Sequence, residues 1–155
     1  MQDEPGVRCI PQFDTRYSSL EISLVAKSDR TGTVRIIIAS ADASFRLALL
    51  LLLETEPGMV VIGMSDRWEA LPSILAASKP EVLLLDDQLA KQATAALVDD
   101  LQRLDHPPKI LVFSIDPQVE KRVLAAGADG FIGKYGPPDE LFPFLRELRS
   151  LRTTS

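Results

Sequence analysis

Polar side chains that could do chemistry stand directly after short apolar runs of this sequence. Asp86 follows one such run, Ser114 a second and Lys134 a third, while residues 40–42 (SAD) follow the first run of this kind. In open parallel sheets, ligands bind beyond the carboxyl ends of the strands. If the runs are parallel strands, a carboxylate, a hydroxyl and an ammonium from three strands converge on one spot. The sequence therefore predicts a charged site at one edge of a sheet.

The elements that would position these side chains alternate between β-rich and helical patterns from Val34 onward. Strands are predicted at 34–39, 59–64, 82–85, 110–113 and 130–132, and helices at 45–55, 67–78, 92–104, 117–126 and 138–151. Asp66 and Glu69 have the spacing of a capping box for the second helix, whose Pro72 should kink it or delay its start. Gly127 is expected to form a left-handed cap after the fourth helix.

Short, nearly continuous apolar strands separated by helices indicate parallel strands that are buried on both faces. Right-handed crossovers then place helices on both sides of the sheet. The predicted fold class is α/β, a three-layer (αβα) doubly wound five-stranded parallel sheet of the flavodoxin-like type, over residues 34–151. Residues 1–33 are predicted to be a flexible N-terminal extension. Within them, residues 20–24 (LEISL) alternate apolar and polar, as a half-buried strand does.

Composition and charge exclude several classes of protein. The chain has 155 residues, enough for one domain, with 46% hydrophobic and 25% charged residues, as in ordinary globular proteins. The net charge of −5 disfavours binding to a phosphate backbone. We expect no membrane span, no secretory signal and a cytoplasmic location. A single cysteine and a single histidine exclude an internal disulfide and clustered metal sites built from these residues.

Phosphate-binding loops are also missing where they would be needed. The segment after the first predicted strand, IIIASADASFR, contains no glycine. This argues against a dinucleotide-binding or Walker-type site.

Residues 34–150 resemble the receiver domain of bacterial response regulators (CheY-like), nearest to the kind that precedes a LuxR-type DNA-binding domain, as in NarL. Four segments carry the resemblance: VRIIIASADASFRLALLLLLETEPGMVVIG, KPEVLLLDDQ, KILVFS and LAAGADGFIGK. They cover about three quarters of the chain. Taken together, with Asp86 and Ser114 in register, they are far more specific than any one alone.

The resemblance implies roles for individual residues. Asp86 falls at the position of the phospho-accepting aspartate, where a carboxylate can attack a phosphoryl donor and form a labile acyl phosphate. Ser114 falls at the hydroxyl that turns inward to the phosphoryl group. Lys134 falls at the lysine that pairs with the carboxylate, and Phe131 at the aromatic position whose rotamer follows the switch. These side chains also have purely structural explanations: Ser114 could cap a helix, Phe131 could fill the core, and Lys134 could be a solvated charge.

The sequence departs from the family pattern at the metal position. The two acidic residues that usually follow the first strand are replaced by Ser40 and Ala41. In the family those acids hold Mg²⁺, which prefers oxygen ligands. Asp42 or Asp87 could help Asp86 to hold a metal. Alternatively, Asp42 caps the first helix and Asp87 points to solvent or to the opposite face. The resemblance thus implies either no cofactor or weakly bound Mg²⁺.

Three functional alternatives remain open at this stage. The first is an atypical receiver, without enzymatic turnover, that regulates by binding a protein partner such as a histidine kinase or a downstream regulator. The second is a conventional phospho-accepting receiver with a rearranged metal site. The third is a small flavodoxin-like enzyme or ligand-binding protein.

The last predicted helix offers a further surface. Its stripe of Leu141, Leu145 and Leu148 is expected to be core, although part of it could serve a homodimer or a partner. Its basic edge, Arg146, Arg149 and Arg152, is expected to be a solvated face at a helix carboxyl end. Because the sequence ends at Ser155, we expect no helix-turn-helix effector and no direct contact with nucleic acid.

Overall fold

A computed structural model describes residues 32–90, 93–136 and 140–154. The strand predicted at 20–24, and nearly all of the predicted extension 1–33, lie outside the described residues. The strands are β1 (Val34–Ala39), β2 (Met59–Ser65), β3 (Val82–Asp86), β4 (Lys109–Ser114) and β5 (Gly130–Gly133). The helices are α1 (Ala43–Leu53), α2 (Leu71–Ser78), α3 (Thr94–Leu101), α4 (Val119–Ala125) and α5 (Leu141–Thr154).

The five strands form one parallel sheet in the order β2-β1-β3-β4-β5. This is the strand order of flavodoxin-like sheets, whose ligands bind where the order reverses, beside the first and third strands. The predicted fold class is therefore confirmed. In this order the carboxyl ends of β1, β3 and β4 are adjacent, and β5 lies at one edge of the sheet.

Both faces of the sheet are covered, which gives the three layers. Along β1, alternate residues serve opposite faces: Ile36 and Ile38 pack with α1 and α5, and Ile37 and Ala39 pack with α2, α3 and α4. Such burial on both faces explains why the strands could be predicted as continuous apolar runs. Among the described residues, none of the helices is both long enough and apolar enough to cross a membrane.

The start of α2 differs from the sequence prediction. Residues Trp68–Ala70 form a 3₁₀ turn, and α2 begins at Leu71 with Pro72 in its first turn. Proline is tolerated there because the first turn of a helix leaves its backbone N–H groups unbonded, so the predicted delay is confirmed. The predicted capping box of Asp66 and Glu69 is wrong, since no side chain caps either the 3₁₀ turn or α2.

The last helix carries its predicted core stripe, and its basic edge is hydrogen-bonded to a neighbouring turn as well as exposed to solvent. Leu141 and Leu145 are fully buried, and Leu148 packs against the same cluster. The Arg146 side chain is 57% exposed, as expected for a solvated edge, but the edge also makes contacts that the sequence did not predict. Two hydrogen bonds, of 2.7 and 2.8 Å, join the Arg146 guanidinium to the Glu56 carboxylate, and Arg149 donates to the Pro57 carbonyl at 2.7 Å. These contacts fasten α5 to the turn between α1 and β2.

Candidate functional site

Asp86 ends β3 as a buried carboxylate whose two oxygens both accept hydrogen bonds. Its exposed fraction is 1%. Oδ2 accepts from the Lys134 ammonium at 2.8 Å and from the Ser40 hydroxyl at 2.6 Å. Oδ1 accepts from the Gln88 backbone N–H at 3.1 Å. The structure therefore brings together Asp86, Lys134 and Ser40, three of the side chains that the sequence placed at strand ends, and the chain itself compensates the charge of Asp86.

Lys134 directly follows the edge strand β5, and its side chain extends to Asp86 beside two aromatic rings. Its side chain is only 4% exposed, and its Nζ lies 4.9 Å from the ring centre of Phe45 and 5.4 Å from that of Tyr135. Burial by itself lowers the pKa of Lys134, but the hydrogen bond and charge of Asp86 outweigh it and raise the pKa above its ordinary value. Lys134 is thus held as a charged ammonium beside Asp86.

The two positions where the family pattern has acids are occupied very differently. Ser40 is completely buried. Its hydroxyl donates to Asp86 and accepts from the Asp42 backbone N–H at 3.0 Å, so both its donor and an acceptor site are used. Ala41 is exposed and carries no polar group. Neither side chain can supply the negative charge that a divalent cation requires.

Asp42 caps α1. Its Oδ1 accepts from the backbone N–H groups of Ser44 at 3.0 Å and Phe45 at 3.2 Å. The bond from Phe45, followed by the charge of Lys134, lowers the pKa of Asp42. Its Oδ2 accepts from the Tyr135 hydroxyl at 3.5 Å and lies 3.8 Å from Lys134 Nζ. The capping role is confirmed, and Asp42 touches the site through Lys134.

The hydroxyl of Ser114 faces Asp87. Ser114 is buried at the end of β4 and donates to Asp87 Oδ2 at 3.1 Å, while its oxygen accepts from the Asp116 backbone N–H at 3.0 Å. The expectation that Asp87 points to solvent or to the opposite face is wrong, because it bonds Ser114. The switching role of Ser114 stays a prediction. Phe131, the other predicted switch residue, is partly buried against the α2–α4 side of the core, and its role also stays a prediction.

The residues present do not fit a magnesium ion. Mg²⁺ in proteins takes octahedral oxygen ligands, including one or two carboxylates. Here Oδ2 of Asp86 is occupied by an ammonium and a hydroxyl proton, Asp42 caps a helix and Asp87 holds Ser114. Within the described ranges, no three acidic, histidine or cysteine side chains are placed to share a metal ion.

Two features of the site were not predicted from the sequence. The Gln88 N–H bond to Asp86 arises because residues Asp87–Leu89 turn immediately after β3. The aromatic pair around Lys134 combines Phe45 of α1 with Tyr135, the residue that follows Lys134 in the sequence. Only the placement of α1 against β5 brings Phe45 to the same ammonium.

Known proteins of this architecture are similar to the chain. The structure of the receiver domain of the response regulator NarL from Mycobacterium tuberculosis superposes with a TM-score of 0.68 at 22% identity, covering 76% of this chain and 97% of that one. The response regulator domain of CheB from Thermotoga maritima gives a TM-score of 0.66 at 18% identity, with the same coverage of each chain. No protein-family model matches this chain.

Curated relatives match by sequence over part of their length. A protein-glutamate methylesterase/protein-glutamine glutaminase of Cereibacter sphaeroides is 29% identical over 115 residues, which is 72% of this chain and 32% of the relative. The transcriptional regulatory protein YvfU of Bacillus subtilis is 28% identical over 117 residues, 74% of this chain and 58% of that protein. This chain thus spans about a third of the methylesterase.

These findings confirm the resemblance that the sequence indicated. The chain has the CheY-like fold of response regulator receiver domains.

Proposed function

We propose that this chain is an atypical receiver domain of two-component signalling that acts by binding protein partners, with magnesium-dependent phosphorylation of Asp86 weakened or lost. The receiver fold and the similarity to regulatory proteins support the signalling context. One observation supports the atypical character most strongly: Ser40 and Ala41 stand at the positions of the acidic pair, and the Ser40 hydroxyl donates to Asp86 Oδ2 at 2.6 Å, on the carboxylate that a metal ion would share.

The chemistry of phosphoryl transfer explains why this arrangement matters. A carboxylate that attacks a phosphoryl group meets negatively charged oxygens, and a divalent cation normally offsets that repulsion. In this chain Lys134 is the cation at Asp86, and it is already paired with Oδ2 of the carboxylate. Ser40 adds a hydrogen bond but no charge. The resting site is therefore stable as it stands and poorly equipped to accept a dianion.

The proposed partners are proteins, namely a histidine kinase or a downstream regulator. The methylesterase and the transcriptional regulator among the relatives support an output through another protein or domain. We propose no enzymatic turnover and no direct contact with nucleic acid for this chain. Two of the three arginines on the basic edge of α5, Arg146 and Arg149, bond the α1–β2 turn.

Labelling with acetyl phosphate and Mg²⁺, read by intact-protein mass, tests this proposal. We compare the wild type, Asp86→Asn, and a double variant Ser40→Asp/Ala41→Asp that restores the acidic pair. We expect little labelling of the wild type, none of Asp86→Asn, and at least a tenfold higher rate in the double variant, about 1.4 kcal/mol of barrier. Circular dichroism melts establish that each variant is folded.

The alternative is a conventional receiver with a rearranged metal site. Rapid, stoichiometric labelling of the wild type that disappears in Asp86→Asn would establish this alternative and overturn the atypical proposal.

A further inference from the structure

Two carboxylates follow one another at the end of β3 and serve opposite sides of the sheet. Leu84 packs on the α1–α5 side of the core and Leu85 on the α2–α4 side. Because side chains alternate along a strand, Asp86 is directed to the α1–α5 side with Leu84. Asp87 lies on the other side, where it lines a cavity together with Val123 of α4. The two acids therefore meet different partners.

The register of β3 and β4 brings Ser114 beside Asp87. Asp86 pairs with Phe113, so Ser114, the next residue on β4, lies level with the residue that follows Asp86. Ser114 Oγ donates to Asp87 Oδ2 at 3.1 Å and accepts from the Asp116 backbone N–H at 3.0 Å. The Asp116 carbonyl lies farther from Ser114 Oγ, at 3.4 Å, and a bond to a carboxylate is the stronger kind. The hydroxyl proton is therefore directed to Asp87.

Asp87 is itself held in position by bonds from both sides of its backbone. The Thr94 hydroxyl donates to the Asp87 carbonyl at 3.0 Å, and Thr94 is buried at the start of α3. The Gln88 N–H, one residue further on, bonds Asp86 Oδ1 at 3.1 Å and so fixes the turn that carries Asp87. The Asp87 carboxylate is thus kept beside Ser114.

We propose that Asp87 is a positioning residue that keeps the Ser114 hydroxyl from bonding an anionic group on Asp86. A hydroxyl has one proton to donate, so Ser114 cannot donate to Asp87 and to an oxygen at Asp86 at the same time. A phosphoryl group on Asp86 would bring oxygens that need donors, and Asp87 competes with them for this proton. The inference rests on the proposed function and adds a second cause of weakened phosphorylation to the replaced acidic pair.

The rotamer of Ser114 in the full chain is the first measurement. The NMR couplings between Hα and Hβ of Ser114 report which staggered χ1 rotamers are populated. We expect one rotamer in the wild type and a second populated rotamer in Asp87→Ala, which lacks the acceptor. The control Asp116→Asn removes a carboxylate charge that lines the same cavity and should leave the couplings unchanged. A single, unchanged rotamer in Asp87→Ala would overturn the proposal.

Labelling with acetyl phosphate and Mg²⁺ measures the effect on Asp86, in the Ser40→Asp/Ala41→Asp background that restores the acidic pair. Adding Asp87→Ala should raise the labelling rate at least about fivefold, the scale of one hydrogen bond. Adding Asp87→Asn, whose side-chain oxygen still accepts from Ser114, should raise the rate less. Combining Asp87→Ala with Ser114→Ala should abolish the gain, because the gain requires the released hydroxyl.

These variants separate the release of Ser114 from a simple change in charge. Asp87→Asn and Asp87→Ala both remove the negative charge. Equal gains in the two, or a gain that persists with Ser114→Ala, would show a purely electrostatic effect and overturn the proposal. If Ser40→Asp/Ala41→Asp does not label, the proposed function fails, whereas the Ser114 couplings still decide whether Asp87 holds the hydroxyl.

Discussion

Lys134 Nζ lies 2.8 Å from Asp86 Oδ2, and their side chains are 4% and 0% exposed. This buried ion pair joins the edge strand β5 to β3 across β4. Because the Ser40 hydroxyl and the Gln88 N–H also bond the carboxylate, the charge of Asp86 is compensated by hydrogen bonds as well as by Lys134, which lowers the net cost of burying the pair.

Removing either partner of this pair should have unequal effects on stability. Lys134→Met leaves a buried carboxylate without its counter-charge, which costs about 3–5 kcal/mol. Asp86→Asn removes the carboxylate charge but keeps an oxygen that can accept from Lys134 or Ser40. We therefore expect a smaller loss in the free energy of unfolding. Urea unfolding followed by circular dichroism measures both variants. Equal losses would show that the charge of Asp86 does not depend on Lys134.

Asp42 should matter as a helix cap and much less as a charge. Its Oδ1 bonds two backbone N–H groups of α1, and asparagine caps helices about as well as aspartate. We expect Asp42→Asn to melt close to the wild type and Asp42→Ala to melt at a lower temperature. If Asn lowered the melting temperature as far as Ala, the charge facing Lys134 would be the important feature.

The contact between Arg146 and Glu56 should appear in the acid pH dependence. The hydrogen bond from Arg146 holds the pKa of Glu56 below its ordinary value of 4.5. A carboxyl group with a lowered pKa in the folded state adds stability above its unfolded pKa, and this stability is lost as the pH falls through the lowered value. The window therefore lies below about pH 4.5.

An NMR titration of the Glu56 carboxyl carbon measures this effect. In Arg146→Gln we expect the pKa of Glu56 to move back up toward 4.5. The control Arg103→Gln removes an arginine that pairs with Asp99 on α3 and should leave Glu56 unchanged. A Glu56 pKa that is the same in wild type and Arg146→Gln would contradict the assignment of α5 as fastened to this turn.

Sequence reasoning located the strands within one or two residues because each is an apolar run buried on both faces. It placed Asp86, Lys134 and Ser40 together because parallel strands share one carboxyl edge. It failed where the outcome depends on the direction of a side chain, or on which of two nearby signals sets the start of a helix. Pro72 determined the start of α2 and left Asp66 and Glu69 without a capping role. Asp87 turned to Ser114 because of the 3₁₀ turn that follows β3.

The central claim is that Asp86 is neutralised by this chain's own groups and not by a divalent cation. An NMR titration of the full wild-type chain with Mg²⁺ and beryllofluoride tests it most directly, with Ser40→Asp/Ala41→Asp as the matched comparison. We predict that the amide signals of residues 40–42, Gln88 and Tyr135 stay unchanged in the wild type and shift in saturable fashion in the variant. Saturable shifts of the same signals in the wild type would contradict the claim.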